Sequence, residues 1–231
     1  MKIYIVLPAY NEGEVIKKTI EAIKKEGYEN IIVVDDGSTD NTYSEALSTG
    51  VITLRHPINR GKGAATQTGI DAGKLLNADI IVTMDSDGQH NPKDIKQLTA
   101  PIKNKQADVV IGSRFLKKSK NMPKSRIIMN KIGNFVTYIF FGAMSSDSQS
   151  GFRSYSNKAA NTVYSYMDRY EFESEMLGHI KKAKLKTTEV PIEVIYTEYS
   201  LNKYNKAKIT GQGLLNGIKM VIRLIEHTLF K

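Results

Sequence analysis

Two aspartates stand two positions apart directly after a short apolar run. The run, residues 80–83 (IIVT), predicts a buried strand that ends before Asp85 and Asp87. Because side chains alternate across an extended chain, both carboxylates are expected to project to one side, at the edge where open α/β sheets bind ligands. A hard divalent cation, Mg²⁺ or Mn²⁺, would relieve the repulsion between them and leave positions for substrate phosphates. On the spacing alone, a metal-diphosphate site and a solvated acidic turn both remain open.

Strands and helices alternate along the first part of the chain, and this order must position the two aspartates. Buried strands are predicted at residues 2–8, 30–35, 51–55, 80–83 and 108–112. Helices are predicted between them at residues 14–25, 41–47 and 64–76, with a further helix opening at 91–92. This alternation predicts an α/β fold with a mostly parallel sheet that is flanked by helices on both faces.

The pattern changes after residue 116. An apolar helix is predicted at 125–144, an extended segment at 147–155, and further helices at 158–167 and 172–184. One or two short strands are expected within 186–195, then a loop at 196–208 and a C-terminal amphipathic helix at 209–230. No repeat or linker interrupts the chain, so residues 1–231 are expected to form a single domain.

Charge is distributed unevenly between these two parts. Through Leu116 there are 14 lysine and arginine residues against 15 aspartate and glutamate residues, a net charge of −1. From Lys117 onward there are 19 against 9, a net charge of +10. Basic surface of this kind suits nucleic acid, anionic lipid or a phosphorylated substrate, although it can also be merely solvated.

Composition excludes several other classes of protein. The chain has no cysteine, so neither a disulfide framework nor thiolate chemistry is available. Its N-terminus lacks the pattern of a signal peptide, and no stretch approaches the roughly 20 apolar residues that span a bilayer. We therefore expect a cytoplasmic protein without membrane-spanning segments.

Four motifs with other functions fit the sequence less well. The turn at residues 8–13 (PAYNEG) lacks the glycines of a Rossmann dinucleotide site, even though Asp35 mimics its ribose-binding acid. Residues 61–63 (GKG) do not complete a Walker loop, and Lys96 stands where an EF-hand requires glutamate. A haloacid-dehalogenase-like phosphatase, with Asp85 as nucleophile and Asp87 as acid/base, stays an alternative, although that family normally starts its core with this motif.

Six short segments together resemble the GT-A fold inverting family 2 glycosyltransferases, most closely the dolichyl- or polyprenyl-phosphate mannose or glucose synthases. They are residues 8–12 (PAYNE), 34–40 (VDDGSTD), 59–63 (NRGKG), 85–89 (DSDGQ), 112–114 (GSR) and 150–153 (SGFR). The resemblance covers about residues 1 to 195 and fades in the last 36. It implies a GT-A fold, with C-terminal amphipathic helices, in which residues 1–116 bind the nucleotide sugar and residues 117–231 bind the acceptor and face the membrane.

The resemblance also implies a role for individual residues. The donor-binding residues would be Pro8, Tyr10, Glu12, Asp35, Asp36, Lys62, Asp85 and Ser86. The metal ligands would be Asp85, Asp87 and Gln89. The catalytic residues would be Asp87, Arg114, Asp147 and Arg153. The acceptor phosphate would meet Arg114, Arg126, Arg153 and Lys203, because guanidinium groups bind phosphate oxygens in pairs.

Two further assignments concern residues outside these sets. Asn130 and Asn134 lie on the helix that the family uses for the acceptor phosphate, although Asn130 stands where the family usually has a hydroxyl residue. The family's arginine after the last strand is missing, so Lys203 is expected to replace the cation, while Tyr199 and Ser200 close over the donor. The structural alternatives are that Asp35 only caps the next helix, and that Arg153 pairs with Asp147.

The implied function is metal-dependent transfer of a hexose from GDP- or UDP-hexose to a dolichyl or undecaprenyl phosphate, with inversion. The alternative within this class is transfer to a saccharide or another lipid of the cell envelope. A phosphate acceptor is already ionised near pH 7, so no general base is required and the four histidines are expected to be dispensable. The expected partners are a membrane surface on the cytoplasmic side or a small membrane-protein anchor, and not nucleic acid.

Overall fold

The computed structural model describes residues 1–117, 124–169, 171–195, 199 and 222, and for residues 124–126 it describes the backbone alone. The strands are β1 Ile3–Ala9, β2 Ile31–Asp35, β3 Ile52–Arg55, β4 Ile80–Thr83, β5 Val109–Ser113, β6 Arg153–Ser156 and β7 Thr187–Pro191. The helices are α1 Ile16–Lys25, α2 Thr42–Ser48, α3 Lys62–Leu75, α4 Asp94–Lys103, α5 Lys124–Phe141, α6 Asn157–Thr162 and α7 Phe172–Lys182.

All seven strands form one sheet in the order β3-β2-β1-β4-β6-β5-β7. The strand β6 is antiparallel to both of its neighbours, and the other pairings are parallel. The predicted mostly parallel sheet is therefore confirmed. Nothing in the sequence indicates that β6 separates β4 from β5, because an extended segment does not reveal its partners.

Helices cover both faces of the sheet, as the alternation predicted. In β1, Val6 packs in the core cluster that includes Ile70 of α3 and Met176 of α7. Its neighbour Leu7 packs in the opposite cluster with residues such as Ile20 of α1. Successive strand residues thus enter different cores, so both faces of these strands are apolar.

One edge of the sheet collects the loops that carry the sequence motifs. The strands β1, β2 and β4 are parallel, and their pairing brings Ala9 opposite Asp35 and Val6 opposite Thr83. Parallel strands end at the same edge, so the loops that follow these three strands converge there.

The later helices differ in part from the prediction. The helix expected at 158–167 is α6, which Ser156 caps by accepting a hydrogen bond from Ala159 N, and which ends at Thr162. The predicted helix 209–230 and loop 196–208 lie outside the described residues, apart from Tyr199 and Ile222. In the described parts of the chain, no helix is both long and apolar enough to span a membrane.

Candidate active site

A cleft of about 690 Å³ opens at the edge where β1, β2 and β4 end. This volume is typical of sites that hold small ligands. Seven of the eight predicted donor-binding residues line the cleft: Pro8, Tyr10, Glu12, Asp36, Lys62, Asp85 and Ser86. The eighth, Asp35, does not line it. Asp35 is fully buried, accepts a hydrogen bond from Ser38 N (3.1 Å) and pairs with Arg55 Nε (3.1 Å), so its contacts stabilise the turn after β2.

Asp36 organises the loop that leads into α3. Its Oδ1 accepts from Arg60 N at 3.0 Å, and its Oδ2 accepts from Gly61 N at 2.7 Å. His56 Nδ1 lies 2.7 Å from Asp36 Oδ1, while its Nε2 lies 3.0 Å from Thr68 Oγ1 on α3. The carboxylate therefore fixes the backbone immediately before Lys62.

Lys62 lies between two carboxylates in the first turn of α3. Its Nζ is 2.7 Å from Asp85 Oδ1 and 2.9 Å from Glu173 Oε1 of α7. Burial acts to lower the pKa of Lys62, but the charges of Asp85 and Glu173 outweigh it and the net pKa is raised. Burial conversely acts to raise the pKa of Asp85, and the Lys62 ammonium overrides it, so that pKa is lowered. Lys62 and Asp85 are therefore both charged at neutral pH.

Gly151 lies directly beside this ion pair. A Cβ atom there would come within 2.6 Å of Asp85 Oδ1 and 2.7 Å of Lys62 Nζ. The carbonyl of Gly151 also accepts a hydrogen bond from Thr83 Oγ1 at 2.8 Å, which ties this segment to the end of β4. A larger residue here would displace Asp85 or Lys62, because the two charged groups occupy the space of a side chain.

Asp87 and Asp85 both line the cleft, but for a different reason from the one predicted. β4 ends at Thr83, and Ser86 and Asp87 lie in a turn rather than in an extended chain. The buried Ser86 donates from Oγ to Pro8 O at 2.7 Å, which fastens this turn to β1. The turn, and not strand alternation, turns both carboxylates toward the cleft.

The carboxylates of Asp85 and Asp87 fit a hard divalent cation. Asp87 forms no ion pair with any described residue, and both side chains line the same cleft. Gln89 donates to Asp87 from its Nε2 and its backbone N, at 2.9 and 3.0 Å, and its role as a ligand through the amide oxygen stays a prediction. No cluster of three or more His, Cys, Asp or Glu side chains suited to a metal occurs within the described ranges. A cation would therefore need phosphate or water oxygens to complete its ligands.

His90 packs beneath the Asp85 turn. Its Nδ1 accepts from Asp85 N at 3.3 Å, its Nε2 lies 4.0 Å from Asp85 Oδ2, and its ring stacks on Phe152 at 4.7 Å. Burial lowers the pKa of His90, against the opposing charge of Asp85, so the ring is neutral near pH 7. The histidine fixes Asp85 from below, a role that the sequence did not predict.

Arg114 and Asp147 form a two-point ion pair. Arg114 Nε lies 2.7 Å from Asp147 Oδ2, its Nη2 lies 2.7 Å from Oδ1, and its backbone N donates to Oδ2 at 3.1 Å. Asp147 is completely buried. Both carboxylate oxygens are therefore engaged, and the partner of Asp147 is Arg114 rather than Arg153.

Arg153 requires a correction. Its side chain is buried, and its three donor nitrogens point to backbone carbonyls: Nε to Ser150 (2.8 Å), Nη1 to Glu173 (3.0 Å) and Nη2 to Ser148 (2.7 Å). The prediction placed this arginine at phosphate groups, but its donors join the segment before β6 to the start of α7. Arg153 therefore stabilises the fold, because β6 carries it inward instead of to the cleft.

The predicted acceptor-phosphate group is not assembled in the described residues. Arg114 is paired and Arg153 is buried, while Lys203 and the side chain of Arg126 lie outside the described residues. Asn130 and Asn134 donate from Nδ2 to Ser146 O at 2.8 and 3.0 Å, so both asparagines fix the loop before Asp147.

Tyr199 reaches the cleft from the far end of the sequence. Its hydroxyl donates to Glu12 Oε2 at 2.8 Å, and burial, followed by this contact with Glu12, raises the pKa of Tyr199. The phenol is protonated at neutral pH and is able to donate. Closure of Tyr199 over the donor stays a prediction, and Ser200 lies outside the described residues.

Three residues at the site escaped the sequence reasoning: Glu173, His90 and Arg169. Glu173 sits among alternating acidic residues at the start of a predicted helix, a pattern that also suits a solvated helix end. His90 directly follows the DSDGQ segment, so its position was an available signal. Arg169 comes from a loop without a motif, and only the fold brings it to the cleft.

Comparison with known proteins identifies related sequences. The model of Glycosyl transferase family 2 matches residues 4–164. An uncharacterized protein of Methanocaldococcus jannaschii is 44% identical, over 99% of this chain and 93% of its own. The UDP-N-acetylglucosamine–dolichyl-phosphate N-acetylglucosaminyltransferase of Methanococcus voltae is 39% identical, over 96% of this chain and 94% of its own.

Solved structures show the same architecture. The glucosyl-3-phosphoglycerate synthase of Mycobacterium tuberculosis, in complex with Mn²⁺, UDP and glucosyl-3-phosphoglycerate, superposes with a TM-score of 0.68. The alignment is 20% identical and covers 88% of this chain and 75% of that one, so it shows a shared GT-A fold.

The chain belongs to glycosyl transferase family 2, and it is a glycosyltransferase with the GT-A fold. The predicted family, fold class and enzyme class are therefore confirmed. This family, and not the haloacid-dehalogenase-like phosphatases, accounts for the paired aspartates after β4.

Proposed function

We propose that this enzyme transfers a sugar from a nucleotide diphosphate sugar to a polyprenyl phosphate, with inversion and with a divalent cation. One observation carries the choice of acceptor: both oxygens of the buried Asp147 are engaged by Arg114. A hydroxyl acceptor needs a base to remove its proton, whereas a phosphate monoester is already mostly dianionic near pH 7. The engaged carboxylate favours the phosphate.

The donor would occupy the cleft between the loops that follow β1, β2 and β4. Its nucleoside would lie near Pro8, Tyr10 and Glu12, and its diphosphate would lie near Asp85 and Asp87. Mg²⁺ or Mn²⁺ would be held by Asp85 and Asp87, and when bound it would stabilise the charge of the leaving diphosphate. Lys62, fixed by Glu173 at 2.9 Å, would hold Asp85 in position.

The relative in Methanococcus voltae is named for UDP-N-acetylglucosamine and dolichyl phosphate, so these two compounds come first in an assay. A panel of UDP- and GDP-linked hexoses and N-acetylhexosamines would be offered with a short polyprenyl phosphate and Mg²⁺ or Mn²⁺. We expect a glycolipid from one donor, and no product in EDTA. Transfer to a saccharide or to a lipid alcohol, with none to the phosphate, would support the alternative acceptor class.

The acceptor implies a membrane surface, for which α5 is the candidate contact on the cytoplasmic side. Its outward face exposes large apolar side chains, among them Ile128 (58%), Phe135 (64%) and Ile139 (60%). A patch of this kind marks a surface for lipid or for another protein. The net charge of +10 after residue 116 would strengthen attraction to anionic lipid.

Flotation with anionic vesicles tests this location. Wild-type protein should float with the vesicles at low salt, and Phe135→Ser with Ile139→Ser should remain at the bottom. The control is Leu75→Ser at the end of α3, which removes a more exposed apolar side chain and should leave flotation unchanged. Absence of wild-type binding would instead favour a small membrane-protein anchor as the partner of α5.

A further inference from the structure

A second cation lines the cleft beside Lys62. Arg169 comes from the loop between α6 and α7, and its exposed side chain borders the cleft near Gly61. The backbone of this loop is fixed, because Asp168 O accepts from Ala64 N at 3.0 Å and Arg169 O accepts from Phe172 N at 3.2 Å. The loop therefore holds the arginine at a defined place on the cleft.

Gly61 allows the arginine to approach so closely. A Cβ atom at Gly61 would lie 2.7 Å from Arg169 Cγ, so the stem of the side chain runs against the bare backbone of the loop before α3. Gly61 also has a φ of +121°, which favours glycine for an independent reason. Packing at the stem positions the arginine and leaves its charged end for a ligand.

The charges of the cleft single out this arginine. Four acidic residues line the cleft, namely Glu12, Asp36, Asp85 and Asp87, against two basic ones. Of those two, Lys62 is already shared by Asp85 and Glu173. Arg169 forms no ion pair with a described residue, and its neighbour Asp168 instead meets Arg60 at 3.4 Å. Within the described ranges, Arg169 is thus the cleft cation whose charge is not already balanced.

We infer that Arg169 binds the diphosphate of the nucleotide donor, an inference that rests on the proposed function. A diphosphate entering an acidic cleft needs a cation that is not already paired, and a guanidinium group can contact two phosphate oxygens at once. The nucleoside alone carries no such charge. Arg169 is therefore a binding residue that distinguishes a nucleoside diphosphate from its nucleoside.

Calorimetric titration in Mg²⁺ tests this assignment. UDP and GDP are first titrated into wild-type protein to find which of the two binds more tightly. That diphosphate and its nucleoside, uridine or guanosine, are then titrated into Arg169→Ala and Arg169→Lys. Arg169→Ala should weaken diphosphate binding about 10- to 100-fold. It should leave nucleoside binding unchanged, while Arg169→Lys recovers part of the loss because it retains the charge. Thermal unfolding verifies that each variant is folded.

The charge-matched control is Lys158→Ala. Lys158 pairs with Asp108 (3.2 Å), which precedes the start of β5, whereas the cleft lies where the strands end. The loss of Lys158 should therefore not change diphosphate binding. Unchanged diphosphate binding by Arg169→Ala, or an equal loss for diphosphate and nucleoside, would overturn the assignment. Failure of the wild type to bind either UDP or GDP would instead overturn the proposed function.

Discussion

Two sides of the molecule use charged side chains in opposite ways. The cleft side consists of β1, β2 and β4 with the loops that follow them, and the wall side consists of β5, β6 and residues 145–152. On the cleft side, Asp85 and Asp87 keep their carboxylates at an open cleft. On the wall side, Asp147 and Arg153 are buried, and their polar atoms are engaged by Arg114 and by backbone carbonyls.

The difference shows that the role of a charged residue near a site depends on its contacts and not on its residue type alone. Arg153 and Arg169 have the same chemistry, but the donors of Arg153 are bound to carbonyls, whereas Arg169 has no ion pair with a described residue. Arg153 therefore stabilises the wall side, whereas Arg169 is available to a ligand. Substitutions on the two sides should therefore change different measured quantities.

The largest effect is expected on the cleft side, for Asp87→Asn and Asp85→Asn. Each removes an anionic ligand from the proposed metal site, so turnover should fall by about 1000-fold while the fold is retained. Glycolipid formation measures turnover, and circular dichroism measures the fold. EDTA should reproduce the loss in the wild type, and full activity in EDTA would exclude the metal.

Arg153→Ala should chiefly affect stability. It leaves three buried carbonyl groups without their donor, so the free energy of unfolding should fall by about 3–5 kcal/mol. Urea denaturation measures this loss. If the variant were as stable as the wild type but could no longer bind or use a phosphate acceptor, the original assignment of Arg153 would be right after all.

His90→Phe is expected to lower activity by about 10- to 100-fold, as is typical when a residue that supports a metal ligand is removed. The phenyl ring preserves stacking on Phe152 but cannot accept from Asp85 N. This expectation replaces the earlier one that all histidines are dispensable. Mn²⁺ affinity and turnover should both decline. His179→Phe on α7 is the control, because His179 does not line the cleft, and it should have little effect.

Asp147→Asn should reduce turnover by less than about tenfold, because a phosphate acceptor needs no general base and the amide keeps one acceptor for Arg114. Steady-state assays of glycolipid formation test this on the wall side. If the variant binds donor normally but is as inactive as Asp87→Asn, Asp147 acts as a general base. A hydroxyl acceptor would then become the better proposal.

The smallest effect is expected for Asp40→Asn in the loop after β2. Burial acts to raise the pKa of Asp40, but the hydrogen bonds from Thr42 and Gly13 together outweigh it, and the net pKa lies below its usual value. Because the pKa of Asp40 is lowered in the folded state, its ionised form stabilises the protein at pH values above the pKa of the unfolded state. This stabilisation disappears as the pH falls through the pKa of the folded state. The variant should lose about 0.5 kcal/mol at pH 7 and nothing in strong acid. Denaturation at both pH values measures the difference.

The cleft side could be predicted from sequence far better than the wall side. The motifs at residues 8–12, 34–40 and 85–89 lie at or just after the ends of β1, β2 and β4, whose apolar pattern is plain, and parallel strands deliver such residues to one edge. Even there Asp35 points into a turn, because adjacent carboxylates after a strand face different ways.

Prediction failed on the wall side for a physical reason. The partners of Arg153 are backbone carbonyls, which every residue possesses and no motif marks. The position of β6 between β4 and β5 decides that these carbonyls surround the arginine. Glu173 escaped for a similar reason, because only the packing of α7 against α3 brings it to Lys62.

Gly151 sets how far the two sides can be changed independently. It belongs to the wall side, but its missing side chain leaves the space that Asp85 and Lys62 occupy. Any other residue at this position would displace Asp85 or Lys62 and so disturb the donor site from the wall side. Exchanges of the wall that retain Gly151 should therefore leave donor affinity unchanged, whereas exchanges that replace it should weaken donor binding.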